Sequence, residues 1–244
     1  MELLVLDHHP NTGVCRFADV LDGRRDLVDH RTLAVADGAP LPDELDDVAG
    51  ILSMGGPQSA TEVADHPWMR AEADLLRRAV DAHVPVFGVC LGAQLLGIAL
   101  GGQVTRRPVP EVGYLPLTRT AGAADDEVVA GWPDGTAALF VHEDEVSTLP
   151  ADAEALLTGN DGVPAWRVGS AWAVQAHPEV DAAQLEAWVG LDRLQGLLAA
   201  ADVDGAALVA EARRRERFAV ATGSALFGRF VDGPVRKRVT GSAR

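Results

Sequence analysis

Short apolar runs alternate along the chain with segments in which apolar residues recur every three or four positions. Glu2–Asp7 and Gly50–Met54 have the length of strands, and Val84–Val89 is apolar almost throughout, which is typical of a strand buried on both faces. His66–Ala82 has helical spacing, and a second helix, Leu91–Leu100, directly follows the third strand. Strands that alternate with helices predict an α/β fold with a largely parallel sheet.

The second half of the chain is richer in strands, several of which we expect to be antiparallel. The candidate strands are Gln103–Arg106, Tyr114–Thr118, Ala137–Val141, Ala165–Val168 and Ala171–Ala176. From Asp181 onward the pattern becomes helical. We therefore predict one domain over residues 1–192, a C-terminal helical segment over 193–234 that packs on or near it, and a basic flexible tail over 235–244.

Composition narrows the class of protein. The 48% hydrophobic and 23% charged residues are ordinary for a globular protein, and a formal net charge of -15 disfavours nucleic acid and anionic membranes as partners. The apolar run after Glu2 is too short for a secretory signal, and we expect no membrane span. With only Cys15 and Cys90, no disulfide framework is available, so a reducing compartment such as the cytoplasm is expected.

Cys90 is the candidate nucleophile. In Gly88–Gly92 a glycine lies two residues to either side of it, between a buried strand and a helix. This is the pattern of the G-x-S-x-G nucleophile elbow with cysteine in place of serine. The elbow exposes its nucleophile at the carboxyl edge of the sheet, and the amino terminus of the next helix favours the thiolate. The alternative is a buried structural cysteine beside incidental glycines.

A cysteine nucleophile needs a general base, and the base needs a group that orients it. Of the seven histidines, His177 ends an apolar run and precedes Pro178 and Glu179. Proline restricts the residue before it to extended geometry, so we expect both side chains to face one site. An isolated His-Pro pair would be an ordinary strand end. Together with an elbow cysteine, it predicts His177 as the base and Glu179 as its orienting carboxylate.

Acyl transfer also needs donors for the developing oxyanion. One candidate is the backbone N–H of Leu91, which follows the nucleophile. Another is expected from the loop Met54–Pro57, which follows a different strand. Because Pro57 has no N–H, Gly56 is the favoured donor and Gly55 the reserve. Taken alone, this Gly-Gly-Pro segment would be a plain turn.

These residues together carry a family resemblance. Gly55–Pro57, Gly88–Gln94 and His177–Glu179, in this order and at these separations, resemble the class I glutamine amidotransferases. The match is best to stand-alone members similar to the glutaminase part of GMP synthase. Glu111–Tyr114 and His142–Asp144 resemble two further segments of the family, so the likeness extends over nearly the whole chain.

The resemblance implies a flavodoxin-like open, mostly parallel sheet with helices on both faces and a few additional antiparallel strands. It also implies Cys90 as nucleophile, His177 as general base and acid, Glu179 as orienting carboxylate, and Gln94 as a substrate contact. The expected reaction splits the γ-amide of glutamine through a thioester and releases ammonia and glutamate. No cofactor is implied.

The chain departs from the family pattern at two positions. Ala176 precedes the histidine of His-Pro-Glu where relatives often have an aromatic residue, and Val141 stands where many have tryptophan. Both changes affect the walls around the substrate and leave the triad intact. Asp144 is a candidate for binding the substrate's α-amino group, with a solvated loop acid as the equal alternative. His142 is expected to be a satisfied or surface histidine, with a place in the lining of the site as the alternative.

Three functions stay open at this point. The chain could supply ammonia to a separate synthase subunit, or it could hydrolyse γ-glutamyl amides or peptides without a partner. A binding protein on a catalytically inactive scaffold is a third class, disfavoured by the intact triad residues. His8 and His9 follow the first strand, but no third ligand lies at a useful spacing, so no metal site is predicted.

Overall fold

A computed structural model of the chain describes residues 1–159 and 161–241. The strands in these ranges are β1 (Glu2–Asp7), β2 (Asp29–Ala34), β3 (Val48–Ser53), β4 (Val86–Val89), β5 (Gln103–Arg119), β6 (Thr136–Thr148), β7 (Glu154–Thr158), β8 (Ala165–Val168) and β9 (Ala171–Val174). The helices are α1 (Phe17–Asp22), α2 (Pro67–Asp81), α3 (Leu91–Ala99), α4 (Ala182–Val189), α5 (Asp192–Ala200), α6 (Gly205–Ala219), α7 (Ala225–Phe230) and α8 (Arg236–Gly241).

The nine strands form one sheet in the order β2-β1-β3-β4-β9-β8-β7-β5-β6. The first five in this order pair in parallel, and the remaining pairs are antiparallel. This confirms the predicted flavodoxin-like α/β architecture. The parallel strands β1, β3, β4 and β9 end at the same edge of the sheet, so the loops that follow them come together there.

Both faces of the parallel sheet are covered. Leu3 and Val5 of β1 belong to a core with Phe17 of α1, whereas Leu4 and Leu6 face the opposite core, to which α2 and α3 contribute. Successive strand residues point to opposite faces, so an apolar run such as that of β1 is what a doubly covered strand requires. No helix in the described part of the chain is long and apolar enough to cross a membrane.

Two strands are longer than the sequence pattern indicates. The segments Gln103–Arg106 and Tyr114–Thr118 belong to the single strand β5, and β6 continues past the predicted end at Val141. These strands form an antiparallel ribbon whose register shifts between Arg106 and Glu111. Polar residues are tolerated along it because much of the ribbon is only half-buried.

The C-terminal helices run without a break from α6 to α8, through two π-helical turns, Val220–Ser224 and Val231–Val235. Pro234 lies in the second π turn. Proline cannot donate the usual helical hydrogen bond, and a widened turn accommodates it. Phe227 and Phe230 of this stretch are fully buried in the same core as Phe17.

We predicted a flexible tail over residues 235–244, and this prediction is wrong for residues 235–241. Val235 is fully buried, and a side chain on Gly50 of β3 would meet it at 2.9 Å. Arg238 of α8 donates hydrogen bonds to the carbonyls of Val48, at 2.6 Å, and Leu45, at 3.0 Å. Apolar burial and these carbonyl contacts hold residues 235–241 against the sheet. Residues 242–244 lie outside the described residues.

Candidate active site

Cys90 lies in a sharp turn between β4 and α3, as the elbow pattern predicts. Its backbone adopts φ +48° and ψ −105°, and its side chain is 6% exposed. A side chain on Gly92 would lie 2.3 Å from the carbonyl oxygen of Ser53, and one on Gly88 would lie 2.9 Å from the backbone nitrogen of Ala93. Both glycines are therefore required by the close approach of neighbouring backbone.

The backbone of Cys90 is strained, because a side chain is disfavoured at positive φ. We expect Cys90→Gly to unfold about 2–4 °C above Cys90→Ala, since glycine relieves strain of about 1–3 kcal/mol and costs about 0.5–1 kcal/mol in unfolded-state entropy. Thermal unfolding of the two purified variants checks this. A midpoint for Cys90→Gly below that of Cys90→Ala would show that the turn stores no strain, because only the entropy cost of glycine would then remain.

His177 and Glu179 form a buried pair at the end of β9. His177 Nδ1 lies 2.7 Å from Glu179 Oε1, which leaves Nε2 for proton transfer. Burial alone would lower the pKa of His177, but the Glu179 carboxylate and the Cys90 sulfur outweigh burial and hold this pKa well above 6.5. The indole of Trp188 packs edge-on against the imidazole, at 5.2 Å between ring centroids. The ring is thus fixed in position by a carboxylate and an aromatic wall.

The loop after β3 brings the nucleophile and the imidazole together. A side chain on Gly55 would lie 3.1 Å from His177 Cε1 and 3.6 Å from Cys90 Cβ. The N–H of Gly92 donates to the carbonyl of Met54 at 3.0 Å, which ties this loop to the elbow. Cys90, His177 and the glycine loop therefore meet at one point on the sheet edge.

Two backbone donors lie beside the nucleophile. The N–H groups of Gly56 and Leu91 make no hydrogen bond with any other described residue. A side chain on Gly56 would meet Leu91 Cδ2 at 2.8 Å, so the two residues are in close contact. Unengaged N–H groups next to a nucleophile can hold a developing oxyanion. Both predicted donors are thus available without rearrangement of their hydrogen bonds.

An open cleft with about 780 Å³ of space not filled by protein atoms surrounds these groups. Cys90 and His177 both line it, as do Gly56 and Leu91. Its further walls come from the loops after β1 and β3, from α3 and β6, and from α4, α5 and the turn between them, with His9, Asn11, Thr12, Pro57, Gln58, Gln94, Val141, His142, Glu143, Asp144, Trp188, Leu191, Arg193, Leu194 and Leu197.

Asp144 is not a solvated loop acid. It lies in β6, is 3% exposed, and its carboxylate bonds with the Ser59 hydroxyl and, at 3.4 Å, with Arg106 Nε. Its backbone carbonyl accepts a hydrogen bond from Gln94 Nε2 at 2.7 Å. The same carbonyl lies 2.8 Å from His142 Nδ1, so His142 is a satisfied histidine as expected. Both Gln94 and Asp144 border the cleft and are held by protein contacts.

Arg16 supports the His-Pro-Glu turn and was missed by sequence reasoning. It is 6% exposed, and its guanidinium donates to the carbonyls of Glu179, at 3.2 Å, and Val180, at 2.6 Å. The backbone N–H of Arg16 also donates to the Glu179 carbonyl at 3.1 Å. No local pattern around residue 16 points to a partner this far along the chain. One of these carbonyls belongs to Glu179 itself and the other to the next residue, so Arg16 holds the backbone that carries the histidine–carboxylate pair.

Within the described ranges, no group of three or more histidine, cysteine, aspartate or glutamate residues is arranged to hold a metal ion. The cleft combines a cysteine sulfur, an oriented imidazole and two amide N–H groups, a set that suits acyl transfer.

Comparison with known proteins agrees with this geometry. The sequence model described as "Glutamine amidotransferase class-I" matches residues 29–187. The putative glutamine amidotransferase-like protein YfeJ of Salmonella typhimurium is 32% identical over 130 residues, which are 52% of this chain and 54% of that protein. The GMP synthase [glutamine-hydrolyzing] of Porphyromonas gingivalis is 35% identical over 144 residues, 57% of this chain and 26% of the synthase. The chain thus spans about half of one relative and a quarter of the other.

Solved structures share the fold over most of the chain. A glutamine amidotransferase from Methylobacillus flagellatus superposes with a TM-score of 0.83 at 27% identity, over 95% of this chain and 94% of the other. One from Thermotoga maritima also has a TM-score of 0.83, at 22% identity, over 96% of this chain and 99% of the other. At 22% identity, the similarity to the Thermotoga maritima structure shows a shared fold and nothing more.

Proposed function

Because the chain belongs to the class I glutamine amidotransferase family, we propose that it hydrolyses the γ-amide of glutamine, or of a related γ-glutamyl compound, through a thioester on Cys90. The observation that carries the proposal is the convergence of Cys90, the His177–Glu179 pair and the unengaged N–H groups of Gly56 and Leu91 on one cleft. A cysteine kept for packing alone would need none of these neighbours.

The proposed reaction begins with attack of the Cys90 sulfur on the γ-carbonyl carbon. The N–H groups of Gly56 and Leu91 hold the oxyanion, and His177 gives its proton to the departing ammonia, which breaks the C–N bond. Water then loses a proton to His177 and attacks the γ-glutamyl thioester, releasing glutamate and the thiol. Glu179 keeps the imidazole oriented and stabilises its protonated form in both steps.

Substrate binding is proposed at the inner end of the cleft. Asp144 is buried there beside Arg106, and Gln94 lies against its backbone. A carboxylate suits the α-ammonium of glutamine, and a guanidinium suits its α-carboxylate. Displacement of the Ser59–Asp144 contact by substrate would free the carboxylate.

A partner-free γ-glutamyl hydrolase is the second candidate, and one observation favours it. Leu191, Leu194 and Leu197 of the α5 region line the cleft in addition to Trp188. Such an apolar wall suits an amine substituent larger than the NH₂ of glutamine. The first candidate requires a synthase that consumes the ammonia. A non-catalytic binding protein would leave the oriented His177–Glu179 pair without a purpose. A thiol nucleophile suits the reducing conditions of the cytoplasm under each enzymatic proposal.

A substrate panel assayed with purified protein tests the proposal. Glutamate and amine release would be measured for glutamine, γ-glutamyl peptides and γ-glutamyl-p-nitroanilide, with asparagine, one methylene shorter, as the matched control. We expect turnover of at least one γ-glutamyl compound, trapping of the acyl group by hydroxylamine, and no turnover of asparagine.

The panel also separates the candidates. A kcat/KM that is at least about tenfold higher for γ-glutamyl compounds with large apolar amines than for glutamine favours the hydrolase. Preference for glutamine, with a rate that rises when a synthase is added, favours the amidotransferase. Absence of turnover on every γ-glutamyl compound, with and without a synthase, would contradict both.

A further inference from the structure

His8 is a buried imidazole outside the candidate triad. It follows β1 and is 1% exposed, with Nε2 2.8 Å from Glu72 Oε2. The other carboxylate oxygen of Glu72 accepts a 2.6 Å hydrogen bond from Ser53 Oγ. Glu72 itself is fully buried in α2. A buried ionisable pair contributes little to stability compared with apolar packing, so its presence beside a candidate site calls for a further role.

The His8 ring is packed against the glycine loop that carries the candidate oxyanion donor. A side chain on Gly56 would lie 2.9 Å from His8 Cβ. On another side the ring stacks on Trp68, with 5.1 Å between centroids and 29° between planes. Glu72, Trp68 and the loop therefore enclose the imidazole, which cannot rotate away without disrupting all three contacts.

The second ring nitrogen faces the loop. Nδ1 of His8 is buried and has no hydrogen bond of ordinary geometry with any described residue. Burial lowers the pKa of His8, but the Glu72 carboxylate outweighs burial, and the backbone carbonyl of Gly55 is among the groups that raise this pKa further. Because Nε2 is engaged with Glu72, the buried Nδ1 is the ring nitrogen that is left for the Gly55 carbonyl.

The orientation of one peptide links this nitrogen to catalysis. In a trans peptide the C=O and N–H groups point in opposite directions. If the Gly55 carbonyl points to His8, the Gly56 N–H points away from His8. Cys90 and His177 lie against Gly55, where a side chain would meet His177 Cε1 at 3.1 Å and Cys90 Cβ at 3.6 Å. A flipped peptide would direct a carbonyl toward the oxyanion and an N–H toward the His8 donor.

We propose that His8 is a positioning residue whose Nδ1–H holds the Gly55 carbonyl and so fixes the Gly55–Gly56 peptide with its N–H toward the nucleophile. The proposal rests on the hydrolysis proposed above. Glu72 orients the imidazole through its contact with Nε2, and the Ser53 hydroxyl in turn orients the Glu72 carboxylate. The loop would thereby be held in its catalytic form before substrate arrives.

The test uses two variants that each keep half of the ring's hydrogen bonds. His8→Asn retains a donor near the Nδ1 position and loses the contact with Glu72, whereas His8→Gln reaches toward Glu72 and has no donor at Nδ1. We expect kcat for the best γ-glutamyl substrate to fall about 30- to 300-fold in His8→Gln, with KM changed less than about threefold, because one oxyanion donor is worth about 10²–10³ in rate. His8→Asn should stay within about fivefold of the wild type.

The rate at which iodoacetamide alkylates Cys90 separates a positioning role of His8 from a general structural role. A structural defect would change this rate, whereas the loss of an oxyanion donor would not. This reaction needs the thiolate and its access but no oxyanion donor, so its rate should be equal in all variants. The measurements use a Cys15→Ala background, so that Cys90 is the only thiol. Circular dichroism of each preparation shows whether the variants that are compared are folded. His66→Leu, which alters the partly exposed imidazole on the other side of Trp68, is the matched control.

The outcomes divide cleanly. Equal losses in His8→Asn and His8→Gln, a loss confined to KM, or slower alkylation of Cys90 would each overturn the positioning role. If His8→Gln does not fold, the double variant His8→Leu with Glu72→Gln, which lacks the donor and leaves no buried carboxylate unpaired, takes its place with the same expected loss. A wild-type protein that alkylates normally but turns over no γ-glutamyl compound would instead refute the proposed function, and the role of His8 with it.

Discussion

Replacing Cys90 with alanine is expected to abolish amide hydrolysis, with a loss on the order of 10⁴-fold or more in kcat. No other described side chain in the cleft carries a sulfur, and Cys15, the second cysteine, is not among the residues that line it. Glutamate release and hydroxylamine trapping would be measured on the same preparation, and circular dichroism would report the fold.

Cys15→Ala is the matched control for this loss. Its sulfur contacts the carbonyls of Thr12 and Gly13, and burial raises the pKa of its thiol, so it is a poor nucleophile. We expect this variant to keep its activity within about twofold. A Cys90→Ala protein that still hydrolysed γ-glutamyl amides, or a Cys15→Ala protein that did not, would contradict the assignment of the nucleophile.

Replacing Glu179 with glutamine is expected to lower kcat by about 10³-fold and to move the pH dependence. The carboxylate holds the imidazole of His177 and raises its pKa against the effect of burial. Without the Glu179 carboxylate, the pKa of His177 is lower, so the imidazole loses its proton at a lower pH. The alkaline limit of activity in the pH–rate profile should therefore shift to lower pH in the variant, with Glu186→Gln, on the exposed side of α4, as control.

Stability should report the same coupling. A pKa that is raised in the folded state contributes stability that is fully present below the unfolded value of 6.5 and is lost as pH rises through the folded value. The wild type should therefore exceed Glu179→Gln in thermal midpoint by the largest margin below pH 6.5, and the margin should shrink toward alkaline pH. A margin independent of pH would show that Glu179 does not stabilise a protonated His177.

The parallel core was predictable because its strands are marked by their own apolar residues. Strand β1 (Glu2–Asp7) was predicted with the bounds that the structure shows, and helix α2 within one residue at either end; the antiparallel strand β8 (Ala165–Val168) was also predicted with its observed bounds. Strand β2 was missed. Its sequence, DHRTLA, buries little besides Leu33, because it is an edge strand. Edge strands owe their form to pairing with a neighbour rather than to a pattern of their own.

The candidate site divides in the same way. Two parts of the site are local motifs, Gly88–Gly92 and His177–Glu179. In each, a few consecutive residues were enough to predict the chemical role. The contacts of Arg16 with Glu179 and of His8 with Glu72 join residues 163 and 64 positions apart. Such pairs follow from the topology of the sheet, which sequence patterns give only in outline.

The helical stretch that carries Phe227, Phe230 and Val235 has a consequence for biosynthesis. These side chains complete one of the two cores that cover the faces of the parallel strands, yet the ribosome makes them after every strand of the sheet. Until they arrive, the nascent protein exposes the apolar face of β1, β3 and β4 to solvent. Partly folded chains with such surfaces aggregate readily. We therefore expect chaperones to bind this uncovered face of the sheet during translation.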